Sequence, residues 1–419
     1  MKIWHPFTQE KTAPTPLKIV KGGGEYLYDE NGKRYVDMIS SWWVNIWGHS
    51  QPEIADAIAK QAQTLEHVIF AGFTHEPAEN LIDILSQHLP KSLSKFFFSD
   101  NGSTAVEVAL KMAYQYFLNQ GIEDRDIFIN LEGAYHGDTI GAMSAAGANS
   151  EYHSKFKKFF FKTFSIKFPN ITNDEETSIC ELEKFLDRNH KKVCALIIEP
   201  LVQGAAGMKM YSPKFLDSIV DTVRKYGVLV IFDEVMTGFY RTGTMFAMNQ
   251  VQNLPDIVCL SKALTGGFMP MALTVTTEEI YDTFWSDDWN KAFIHGHSYT
   301  ANPIACAAAC ATQKILQTEM TQNQIKSISK IHKKRLAEIS NENVISKRSL
   351  GTIAAIDLSS GASAQDIAKI MFDNGIIIRP LNNTIYFIPP YCISVDNSNK
   401  AYDLLEWYTS NKCSTKNRM

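Results

Sequence analysis

Residues 228–243 read VLVIFDEVMTGFYRTG. Five consecutive apolar residues, Val228 to Phe232, run straight into Asp233. An unbroken run of this length, without polar alternation, suits a strand buried on both faces of a sheet. The same shape recurs at KFFFSD (95–100), DIFINLEG (126–133), VCALIIEP (193–200) and DIVCLSK (256–262). Helical periodicity separates several of these runs, as in STAVEVALKMAYQYFLNQ (103–120) and PKFLDSIVDTVRKYG (213–227), the latter stopped by Gly227. Short apolar strands alternating with amphipathic helices predict an α/β fold, with a mostly parallel central sheet covered on both sides.

The flanks differ. GGGEYLYDENGKRYVDM (22–38) predicts a hairpin around Asn31-Gly32, followed by helices at PEIADAIAKQAQTLEHV (52–68) and PAENLIDILSQHL (77–89). Beyond about residue 315 come a polar helix at 321–339, a strand at GTIAAIDL (351–358), a helix at SAQDIAKIMFDNG (363–375) and strands at IIIRP (376–380) and TIYFIPP (384–390). The expected division is an N-terminal segment, 1–50, a large domain, 51–315, and a smaller α+β domain, 316–419. The lysine-rich tail after Tyr408 is expected to fray. KFKKFFFK (155–162) reads as a strand or loop with solvated lysines.

Composition narrows the function. The 419 residues are 45% hydrophobic, and 45 acidic side chains nearly balance 41 basic ones. No broad basic face follows, so nucleic acid is not an expected partner. The N-terminus MKIWHPFTQE lacks a basic-then-apolar leader, and no window approaches the roughly 18 uncharged apolar residues of a membrane span. A cytoplasmic protein is the expectation. Seven scattered cysteines (180, 194, 259, 306, 310, 392 and 413) fit reduced thiols. Cys306 and Cys310, one turn apart in an alanine-rich helix, read as packing residues, and no metal site is expected of them or of His295 and His297.

In an open α/β sheet, ligands gather beyond the carboxyl ends of the strands. Three chemistry-bearing groups are predicted there. Asn101-Gly102-Ser103-Thr104 leads from a strand into a helix, whose amides can hold a phosphate; Ser103 or Thr104 can equally be an ordinary cap. Asp233 ends a buried strand and needs donors or a cation. Lys262 ends another, where desolvation lowers a lysine's pKa and frees its nitrogen as a nucleophile; a paired or snorkelling lysine is the plainer alternative. Taken together, a phosphate cradle, a buried acid and a reactive lysine suit pyridoxal 5′-phosphate, and Tyr135 and His136 in AYHGD offer a ring to cover it. Glu199, before Pro200, reads mainly as a turn residue near this site.

SKALTGG (261–267), FDEVMTGFYRTG (232–243) and EGAYHGDTIGAMS (132–144) resemble the class III pyridoxal-phosphate aminotransferases. WHPFTQ (4–9), SSWWVNIWGHS (40–50), GSTAVEVALKMA (102–113), IIEPLVQGAAGM (197–208) and ANPIACAAA (301–309) are similar to the branch of that family serving biotin synthesis. The resemblance implies a type I fold, used as a homodimer with shared active sites. It implies S-adenosylmethionine as amino donor and 8-amino-7-oxononanoate as acceptor; a class III enzyme using another ω-amino donor is the alternative. It assigns the covalent cofactor link to Lys262, the pyridine nitrogen to Asp233, phosphate to Gly102 and Ser103, and ring stacking to Tyr135. Gly296 and Ser298, in HGHSYTANP (295–303), are expected to reach the neighbouring subunit's phosphate site. Arg379 is expected to meet a substrate carboxylate, with Trp42, Trp43 and Tyr386 as substrate-site walls. If Trp42 and Trp43 lie on a strand they point to opposite faces. Phe7 stands where the family usually has a tyrosine whose hydroxyl helps arrange substrate, so that job is expected to pass to another donor such as Tyr386; Tyr240 stands where glycine is common and is expected to narrow or reshape the pocket.

Overall fold

The structure, a computed structural model, describes residues 2–147, 153–170 and 174–411. Near the N-terminus, β1 (Ile19–Gly23), β2 (Tyr26–Asp29) and β3 (Arg34–Asp37) form an antiparallel meander. Its predicted turn is held by Asp29, whose Oδ1 accepts the amides of Asn31 and Lys33 at 3.0 and 2.9 Å.

The central sheet is built from β4 (Leu93–Ser99), β5 (Ile127–Leu131), β6 (Thr163–Ile166) and β7 (Val193–Ile198), then, after a small ribbon of β8 (Val202–Gln203) and β9 (Lys209–Met210), from β10 (Leu229–Asp233), β11 (Ile257–Leu260) and β12 (Ala272–Thr277). Its seven strands run in the order β4-β12-β11-β10-β7-β5-β6. Within this sheet β12 runs opposite to the other six strands. All six residues of β7 and all four of β11 are buried, as expected of strands covered on both faces. Each large apolar side chain so buried contributes about 2 kcal/mol. Both β6 and β12 escaped the sequence reading. In β12, threonines interrupt the apolar run, yet they are buried and satisfied: Thr274 Oγ1 donates to the Ala105 carbonyl at 2.8 Å. The lysine-rich 155–162 stretch is mostly a short 3-10 turn, Ser154–Phe159, that precedes β6.

A third sheet orders β13 (Val344–Leu350), β14 (Ile353–Leu358) and β16 (Thr384–Phe387). The short β15 (Ile376–Ile377), from the predicted IIIRP strand, joins the N-terminal meander instead, parallel to β3. This pairing brings chain ends far apart in sequence to one edge, and it carries Arg379 with it. The last helix continues past Tyr408 to Asn411; the remainder of the tail, with Cys413, lies outside the described residues.

Candidate active site

Beyond the carboxyl ends of the parallel strands lies a cavity of about 830 Å3, lined by Gly102, Ser103, Tyr135, Asp233 and Lys262 among others. Parallel pairing explains the convergence. Phe232 sits opposite Ile198 in β7, and Asp233 opposite Cys259 in β11, so the residues that follow each strand meet at one level.

The candidate anion-binding end is the start of helix Gly102–Asn119. Its cap is Asn101, not Ser103 or Thr104. Asn101 Oδ1 accepts the Thr104 amide, and Thr104 Oγ1 accepts the Asn101 amide, each at 3.1 Å. This arrangement leaves the Gly102 and Ser103 amides without acceptors inside the helix, at its positive end. Ser103 Oγ accepts the Asp138 amide at 3.2 Å. Gly137 holds φ +125°, and a Cβ there would lie 2.0 Å from Ser103 Oγ, so only glycine fits.

Asp233 is 4% exposed. Its Oδ2 lies 2.7 Å from His136 Nδ1, and its Oδ1 accepts the Val235 amide at 3.1 Å. Both carboxylate oxygens of Asp233 are therefore engaged. His136 Nε2 is then buried without a hydrogen-bond partner among the described residues. Expected as a covering ring, His136 is instead the partner of Asp233. Glu199 is also more than a turn residue. It lines the cavity, and its oxygens accept the Tyr135 and Gly204 amides at 3.1 and 2.9 Å. Burial, opposed by nearby His136 and reinforced by Asp233, pushes its carboxyl up to about 7. The signal was available: IIEP repeats the strand-end-then-acid shape of IFDE.

Lys262 opens a 3-10 turn at φ +47°. Ser261 Oγ anchors the strand end to the Met271 carbonyl at 2.8 Å. Gly266, φ +63°, caps the turn, and at Gly267, φ +86°, a Cβ would strike Asn45 Oδ1 at 1.9 Å, which accounts for the glycine pair in SKALTGG. Lys262 Nζ lies 4.7 Å from the Trp43 ring centroid. Burial lowers its pKa, while the charges of Asp233 and Glu199 work in the opposite direction. The outcome is an amine with access to its neutral, nucleophilic form.

The outer wall departs from expectation. Residues 40–43 are not a strand but a left-handed turn, with φ of 48°, 44°, 72° and 75° for Ser40, Ser41, Trp42 and Trp43. Such geometry costs roughly 1–2 kcal/mol per residue. It is held by Ser40 Oγ to the Ile388 carbonyl and Ser41 Oγ to Asp37 Oδ2, both 2.7 Å, and by Arg241 Nη2 to the Trp43 carbonyl at 3.3 Å. Both tryptophans consequently line the cavity. Arg379 lies 4.0 Å from the Trp42 ring centroid, and Phe7 meets that ring edge-on at 5.3 Å. Tyr386, expected as a wall, is set back: it is 1% exposed, and its hydroxyl accepts Trp43 Nε1 at 3.2 Å from behind. Tyr240 is not among the cavity residues either; it packs on the core at φ +71°. Met236, Gln365 and Asn382 line the cavity and were not anticipated.

Gly296 and Ser298 are exposed and do not line the cavity of their own chain. His295, beside them, contacts Lys111 Nζ through Nδ1 at 2.9 Å. Cys306 and Cys310 sit in the helix Pro303–Leu316, with their thiols toward the Ala301 and Pro77 carbonyls at 3.7 and 3.5 Å.

The profile of the aminotransferase class-III family matches residues 7–407. Adenosylmethionine-8-amino-7-oxononanoate aminotransferase of Synechococcus elongatus is 45% identical, covering 96% of this chain and 98% of that protein. The Helicobacter pylori protein of the same name is 38% identical over 95% and 94%. Among solved structures, the Methanocaldococcus jannaschii adenosylmethionine-8-amino-7-oxononanoate aminotransferase superposes with a TM-score of 0.90 at 34% identity, over 98% of this chain and 97% of that one. A PLP-bound amine transaminase from an uncultivated Pseudomonas species gives 0.91 at 28% identity, over 98% of each chain.

Proposed function

Because the chain belongs to the class-III aminotransferases, a pyridoxal-phosphate-dependent family with the type I fold, we propose that it transfers an amino group from S-adenosylmethionine to 8-amino-7-oxononanoate, giving 7,8-diaminononanoate. Whole-length likeness to relatives bearing that activity is the observation that carries the reading.

The residues present fit pyridoxal 5′-phosphate. The unpaired helix amides of Gly102 and Ser103 suit a phosphate, Asp233 suits a protonated ring nitrogen, and Tyr135 a ring face. His136 Nε2, buried without a partner among the described residues, marks a polar position that a ligand can satisfy. The bound cofactor supplies an electron sink for the amine-bearing carbon and keeps the amino group between the two half-reactions. Lys262 Nζ would hold the cofactor covalently until the donor's amine takes its place, and the freed amine would then accept at Nζ the proton leaving the donor's amine-bearing carbon. Asp233, held in place by its His136 and Val235 contacts, stabilises positive charge opposite it. Trp42, Trp43 and Met236 exclude water from that exchange, and Arg379 orients a carboxylate at the outer wall. Donor product leaves before acceptor binds, in ping-pong order. Gly296 and Ser298, exposed and remote from their own cavity, complete the phosphate site of a second copy in a homodimer.

The test is spectroscopic. S-adenosylmethionine should bleach the visible absorbance of the cofactor-loaded protein, and 8-amino-7-oxononanoate should restore it with formation of 7,8-diaminononanoate by mass. Phe7, lacking a hydroxyl at the cavity, favours a second reading with another ω-amino donor. Bleaching by lysine or simple ω-amino acids, but not by S-adenosylmethionine, would establish that alternative.

A further inference from the structure

Tyr135 is held from two directions. Its hydroxyl donates to Asp138 Oδ2 at 2.8 Å. Behind the ring lies His153, stacked at 5.5 Å between centroids with 28° between planes. His153 is 1% exposed, and its Nε2 is 3.2 Å from the other oxygen of the same carboxylate, Asp138 Oδ1. The Asp138 amide, in turn, donates to Ser103 Oγ at 3.2 Å. One imidazole therefore touches both the ring that lines the cavity and the acid that fixes that ring's hydroxyl, and the acid is tied to the phosphate cradle. None of this follows from spacing in the sequence, since His153 lies 15 residues beyond Asp138.

We propose that His153 is a positioning residue for the amine-transfer site: its ring stacks on Tyr135, and its Nε2 sets the Asp138 carboxylate that accepts the Tyr135 hydroxyl and so fixes the angle of that ring in the cavity. The proposal rests on the cofactor-binding reading given above. The His153 contact is the leading cause holding the Asp138 carboxyl below its usual range, with the Tyr135 hydroxyl adding to it, which agrees with an acid organised by these two neighbours. A half-exposed aspartate without them would be free to rotate, and the phenol with it.

The two contacts are separable. His153→Phe keeps an aromatic plate but removes the bond to Asp138. It should leave the pyridoxal-phosphate Kd, read by fluorescence quenching, within about twofold while raising the KM for the amino donor about tenfold. His153→Ala removes both, so Kd and KM should each rise about tenfold. Asp138→Asn should repeat the KM effect, and the Asp138→Asn/His153→Phe double variant should be no worse than either single change, because both cut one link. Overturning outcomes are wild-type Kd and KM in His153→Ala, additive effects in the double variant, or full rescue of KM by His153→Phe, which would reduce His153 to packing. Failure of the functional reading is recognised separately, in the wild-type protein, as no response to S-adenosylmethionine. The variants are then measured with whichever amine the wild type accepts.

Discussion

The floor and the outer wall of the cavity are built by different means. Floor residues Gly102, Tyr135, Glu199, Asp233 and Lys262 each stand at or just beyond the carboxyl end of a strand of one mostly parallel sheet, and their positions are set by register between neighbours. The wall, Phe7, Trp42, Trp43 and Arg379, is assembled from N-terminal and C-terminal pieces joined by the β3–β15 pairing. A rigid sheet suits a fixed cofactor, whereas a wall of loops on a short joint can differ among relatives that share the floor. The floor should therefore govern whether chemistry occurs, and the wall which amine or acid is accepted.

The sharpest way to break that division is at the floor. Lys262→Ala should lower turnover by about 10⁴-fold or more in a folded, cofactor-containing protein. Near-normal turnover, with the fold checked by circular dichroism, would remove the floor from the chemistry. Next in size is an effect belonging to neither region. His332, fully buried, bonds Tyr402 through Nδ1 at 2.8 Å, and burial pushes its pKa down to about 4. Between pH 6.5 and 4 the unfolded chain takes up a proton that the folded one refuses, so stability falls as pH drops through that window. The loss is roughly 3 kcal/mol. Glu199 and Glu234, both raised to about 7, act oppositely, since the folded chain holds their protons below that value. The contribution of His332 is thus the difference between urea titrations of wild type and His332→Gln at pH 7 and pH 4.5, and a constant difference would rule it out.

Two smaller changes sharpen the wall. Trp42→Ala removes the ring beneath Arg379, a contact of about 1–2 kcal/mol. The KM of the carboxylate-bearing acceptor should rise about tenfold with kcat nearly unchanged; an equal fall in kcat would make Trp42 part of the chemical step. Tyr386→Phe leaves Trp43 Nε1 without its acceptor, at a cost of about 1 kcal/mol in stability. Because Tyr386 stands behind the wall, kcat/KM should stay within about twofold, and a larger loss would return it to the substrate site.

Legibility follows the same divide. Strands β4, β5, β7, β10 and β11 were readable because burial on both faces demands unbroken apolar runs, and Asp233 and Lys262 stood out as charges at their ends. By contrast, β12 was hidden by threonines whose hydroxyls find backbone carbonyls only in the folded sheet. The left-handed turn at 40–43 was equally invisible, since its stabilising partners, Ile388 and Arg241, come from distant segments.

By itself the sequence determined the α/β architecture, the strand-end location of Lys262 and Asp233, and the likeness to one aminotransferase family, all of which depend on local pattern. Tertiary structure alone decided that His136 serves Asp233, that Asn101 is the cap, that both tryptophans face inward, that Tyr386 does not, and that His153 backs Tyr135. These are choices of partner across long chain separations. They depend on strand register and on which buried polar group must be satisfied by which neighbour, and neither is written in the spacing of residues.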